Sequence, residues 1–109
     1  MSEVATVYAV FGSADEAARI ARTVVEERLA ACANLLPPCR SVYRWEGAIE
    51  EAEEVPALFK TTALLAPVLI ARVAALHSYD VPAITAWPIA VAHAPYADWI
   101  ALETGSRTL

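Results

Sequence analysis

The chain has 109 residues, 58% of them apolar and 19% charged, with a net charge of −5. That is one domain's worth, more apolar than the rough half-apolar, quarter-charged norm, and its few cations are too scattered for a nucleic-acid footprint. The uncharged run 61–71 stops at Arg72, short of the ~20 apolar residues of a membrane span, and the N-terminus carries Glu3 and no basic signal region.

These features predict one domain over 1–109, a cytoplasmic location without a membrane segment, and excess apolar surface buried between subunits.

Residues 4–11 are β-branched and aromatic, and predict a buried strand stopped by Gly12-Ser13. Ser13 followed by Glu16 is a capping-box spacing, so a helix is expected to start there and run to about Leu29. Ala17, Ile20, Ala21 and Val24 share its apolar face, with Arg19, Arg22 and Glu26 opposite.

An extended stretch over 32–45 follows, bent at Pro37-Pro38. Ser41, Tyr43 and Trp45 fall on one of its faces, with Arg40, Val42 and Arg44 on the other. Glu46-Gly47 predicts a hairpin turn, and 48–61 the return strand. The acidic start of that strand, Glu50 to Glu54, is expected to reach solvent, and Pro56 to mark a bulge or an edge.

A second helix is expected over 63–76, apolar nearly all round, with Pro67 in its first turn. A loop over 77–82 and a short strand over 83–87 come next, and Pro95 and Gly105 bracket a last helix holding Tyr96, Trp99 and Leu102. The order β-α-β-β-α-β plus a C-terminal helix is that of an α+β, ferredoxin-like fold.

The segments ERLAAC at 27–32, YRWEG at 43–47 and HSYDVP at 77–82, with Tyr96-Ala97-Asp98-Trp99 in the last helix, occur in an order and spacing that resembles the CutA divalent-cation tolerance family. The resemblance spans about residues 4–104. It implies the same ferredoxin-like fold, a homotrimer of PII-like architecture with hairpins crossing between subunits, and a part in tolerance to copper and other divalent metals with no established reaction. Ser78 stands where the family usually has proline, and Ala83 where it usually has glutamate.

Several side chains are candidates for chemistry. Cys32 is a soft ligand suited to copper, or a small hydrophobe packed in the core. His77 follows a helix C-terminus, where it serves as a metal or anion ligand or as a packed cap. On a straight strand Cys32 and Cys39 would lie on opposite faces, ~23 Å apart, and could not share a metal within one subunit. Tyr43 and Trp45 are candidates for subunit packing, or for a small-molecule cleft between subunits that also draws on Lys60, His77 and Tyr79. His93 is expected at the surface. No nucleophile–base pair or phosphate-cradling loop is visible, so the expectation is a non-enzymatic protein needing no cofactor. It would bind copper or another divalent cation, or act as a PII-like sensor or scaffold.

Overall fold

Strand β1 (Val4–Phe11) sets the plan, because its alternating side chains are buried on both faces by different partners. A computed structural model describes residues 3–105, so both ends of the expected 1–109 domain, residues 1–2 and 106–109, lie outside the described residues. Val7, Ala9 and Phe11 meet Ala17, Ile20 and Val24 of α1 (Ala14–Glu26) and Leu69 and Val73 of α2 (Ala66–Leu76) in the main core. Phe11, Phe59, Ile20 and Leu69 are essentially fully enclosed there, each contributing about 1.5–3 kcal/mol by burial.

The sheet order is β2 (Cys32–Leu35), β4 (Ala48–Thr62), β1, β5 (Ile84–Pro88), with every pairing antiparallel. Strand β3 (Cys39–Trp45) pairs with the first half of β4, and the pair projects as a long hairpin that stretches the molecule to 50 × 26 × 23 Å. The fold is the expected ferredoxin-like one. Helix α3 (Ala94–Glu103) lies across the open face of the sheet at the other end, where Val4, Ala31, Ala97 and Ile100 form a second core. No helix among the described residues is long and apolar enough to cross a membrane.

Local chemistry explains the element ends. Ser13 Oγ accepts from Glu16 N–H at 3.1 Å, capping α1 as its sequence signature predicts. Helix α1 stops at Glu26, short of the expected Leu29, because Arg28 takes a left-handed φ of 63°. Arg28 N–H then bonds Val25 O, and Leu29 N–H bonds Val24 O. This is a Schellman closure with arginine where glycine is usual. The Arg28 guanidinium reaches Leu102 O at 3.1 Å and Glu103 at 3.7 Å, tying the end of α1 to the end of α3. Helix α2 begins at Ala66, after a turn, with Pro67 in its first turn. At the hairpin tip, Glu46 and Gly47 both have positive φ, 49° and 82°, as a tight two-residue turn requires.

Two strand expectations need correction. Pro56 is neither at an edge nor in a bulge of its own strand; it lies inside β4, between β1 and the β2–β3 segment. Its carbonyl accepts from Leu36 N–H at 2.9 Å, and in antiparallel pairing a residue's N–H and C=O face the same neighbour. The missing N–H therefore points at the break between β2 and β3, and β1 loses no bond.

The second correction concerns that break. Leu35 pairs with Ala57 and Cys39 with Glu54, so three residues bridge a gap that two span on β4. Pro37-Pro38 is thus a one-residue bulge. It reverses the side-chain alternation beyond it, so Cys32 and Cys39, opposite Lys60 and Glu54, share a face rather than lying on opposite ones. They remain ~20 Å apart along β4.

Candidate functional site

Because of that bulge, Ser41, Tyr43 and Trp45 extend the open face of the sheet that also carries Tyr8 and Val10. The loop after α2, with Tyr79 and Val81, forms the facing wall of a groove of about 640 Å³. Tyr79 Oη donates to Glu54 Oε2 at 2.9 Å. Burial, reinforced by that carboxylate, pushes the Tyr79 phenol up to about 12. The ring crosses the strand end at Gly12, where a Cβ would lie 3.2 Å from the phenol oxygen. Glycine therefore leaves the phenol its path.

The acidic start of β4 divides. Glu50, Glu51 and Glu53 are exposed as expected, whereas Glu54 is only 8% exposed because Tyr79 covers it. Of the expected cleft residues, the groove unites Tyr43, Trp45 and Tyr79. Lys60 is not among its lining residues; it sits opposite Cys32 and Thr6, toward the α3 end.

His77 belongs to the other face. Its side chain is fully enclosed and stacks on Phe11, with ring centroids 4.9 Å apart. Nδ1 accepts from Tyr79 N–H at 3.1 Å, so Nε2 carries the proton and donates to Val10 O at 2.8 Å. Both ring nitrogens are committed within the protein. Glu16 Oε2 lies 4.0 Å from Nδ1 and accepts from Ser78 N–H at 2.7 Å, while Oε1 accepts from Ser78 Oγ at 3.0 Å.

Burial raises the Glu16 carboxyl, but the Ser78 side-chain and backbone bonds outweigh it, leaving the group below its usual value. The stability this adds is present above the unfolded value of 4.5 and is lost as pH falls through the lower folded one. We therefore expect Ser78→Ala to move the onset of acid unfolding to higher pH, and to remove about 1 kcal/mol at neutral pH. Circular dichroism against pH checks both, and coincident acid limbs for the two proteins would refute the coupling.

Cys32 is half-buried on the open face, its Sγ 3.3 Å from Tyr96 Oη on α3. Burial, then the thiol, pushes that phenol up to about 12. Cys32 and His77 thus sit on opposite faces of the sheet, and one chain does not bring them together. Cys39 Sγ lies 3.9 Å from Ser41 Oγ, and His93 is the exposed N-cap of α3. Among the described residues, no three His, Cys, Asp or Glu side chains converge as a metal site.

A family profile, CutA1 divalent ion tolerance protein, matches residues 5–103. The chain belongs to that family. The divalent-cation tolerance protein CutA of Thermus thermophilus is 50% identical over 92 residues, covering 84% of this chain and 89% of its own. The solved structure of that bacterium's protein superposes with a TM-score of 0.88 at 47% identity, over 96% of this chain and all of the other. Human CutA is 44% identical over 90 residues, which cover 83% of this chain and half of the human one. The structure of CutA from Archaeoglobus fulgidus, described as a periplasmic divalent cation tolerance protein, has a TM-score of 0.86 at 38% identity, covering 89% of this chain and 94% of that one.

Within this CutA fold, sequence reasoning missed Tyr8, Glu16 and Glu54 as site residues. Tyr8 was detectable as the aromatic on the even-numbered face of β1. Glu16 was visible only as a helix cap, because its contact with Ser78 crosses 62 residues. Ser78 donates through both N–H and Oγ, and a proline in its place could supply neither bond.

Proposed function

We propose that this chain is a non-catalytic, cytoplasmic, homotrimeric member of the divalent-cation tolerance family that acts as a PII-like binding module. Its ligand occupies the hairpin groove, in the cleft between subunits, and its effect on copper or other divalent-metal tolerance runs through that site rather than through a centre at Cys32 and His77. The observation that carries the reading is the groove itself, which gathers Tyr43, Trp45 and Tyr79 into one concave surface of ligand size. Assembly is supported by the tryptophans outside the groove: Trp87 and Trp99 are 45% and 40% exposed in the isolated chain. Rings of that size left half-bare on a small domain mark a contact surface. Two free thiols fit a reducing compartment.

The test titrates the reduced, metal-free protein with copper against a competing chelator, with Cys32→Ser and His77→Ala in parallel, after light scattering establishes the mass. We expect three chains per particle, and copper binding unchanged by either substitution. Stoichiometric copper binding lost in Cys32→Ser would replace the groove with a direct thiolate site. A monomer at micromolar concentration would sink the trimer.

A further inference from the structure

The groove's charges are placed unlike those of a metal site. Glu50, Glu54 and Asp80 line it against one cation, Arg44, so the lining carries a net charge of −2. Glu50 and Glu54 stand four residues apart on the same face of β4, ~13 Å along the strand, and Asp80 belongs to the facing loop. A single hard cation needs converging oxygens, and these do not converge. Between the carboxylates lie aromatic faces: Tyr43 is paired directly across from Glu50, Tyr79 is bonded to Glu54, and Tyr8 and Trp45 line the same groove.

Carboxylates spaced along an aromatic trough complement a ligand whose positive charges are spaced in the same way along an apolar backbone. We propose that the groove binds a linear polyamine, its ammonium groups at Glu50, Glu54 and Asp80 and its methylenes against Tyr43, Tyr79 and Trp45. The assignment rests on the groove being the ligand site. It exploits attraction of ammonium groups to ring faces as well as to carboxylates. An anionic ligand would meet the wrong field, and an uncharged one would leave Glu50 and Asp80 unanswered, Glu54 being held already by Tyr79. Arg44, opposite Ile49 near the hairpin tip, sets where the cationic stretch ends.

The experiment is a calorimetric titration of the assembled protein with spermidine, at low salt and at about 150 mM, with magnesium and ATP as separate titrants. The variants are Glu50→Gln and Trp45→Leu, both at exposed positions, with folding checked by circular dichroism. We expect saturable spermidine binding at both salt levels, weakened about tenfold by each substitution. Magnesium should compete poorly.

Binding displaced by equal magnesium charge and indifferent to Trp45→Leu would reduce the site to counter-ion accumulation and overturn the assignment. Binding of ATP instead, sensitive to Trp45→Leu, would overturn the polyamine while leaving the groove as the ligand site. Silence from all three titrants, with neither substitution changing the response, would remove the polyamine and withdraw support from the groove.

Discussion

Replacing Phe11 with alanine is expected to remove about 3–5 kcal/mol of folding stability, a large share of the roughly 5–15 kcal/mol typical of a domain. Phe11 is fully enclosed at the end of β1. Its ring meets Phe59 edge-on, with centroids 6.5 Å apart and planes at 66°, and stacks on His77. Alanine would lose the transfer free energy of the ring and leave a cavity bounded by a sheet and two helices, which cannot close it cheaply. Urea unfolding at one fixed protein concentration is the appropriate measurement, because assembly makes apparent stability concentration-dependent. The 89% exposed Val91, changed to alanine, is the control and should shift the midpoint by no more than about 0.5 kcal/mol. A loss below about 1.5 kcal/mol at Phe11 would mean that the packing around it is not as described.

The second large effect is expected at His77, and it separates two meanings of that residue. His77→Ala should cost about 2–4 kcal/mol, through the lost bond to Val10 O, the stranded Tyr79 N–H and the emptied ring volume. The loss should be the same in chelator and in copper-containing buffer, since both nitrogens already bond within the chain. A deficit that appears only with copper would make His77 a ligand instead.

Much of the fold was legible because local chemistry set it. Ser13 and Glu16 start α1, Pro95 and Gly105 bracket α3, and Glu46-Gly47 turns the hairpin; each depends on residues within four positions. The aromatic face of Tyr43 and Trp45 could be read from period-two alternation alone. What could not be read depends on strand pairing. Pro56 looked like an edge residue because proline lacks a donor, yet its position faces the one place where no donor is needed. Glu54 looked solvated because its neighbours are acidic, yet a tyrosine 25 residues away covers it. The relative facing of Cys32 and Cys39 was inverted because a bulge is a property of two strands, and one strand's sequence does not contain it.

That bulge gives the segment between Leu36 and Cys39 a spare residue. The facing of Tyr43 and Trp45 is held from the far end, by the two-residue turn at Glu46-Gly47 and by pairing with the unbroken strand β4. Removing one residue from the bulge would leave two opposite two and keep the groove's face as it is. Removing two would leave one residue to span two, and would pull β2 or β3 out of register. In the descent of such a chain, this is therefore a point where a single codon can be lost without changing the chemistry of the groove.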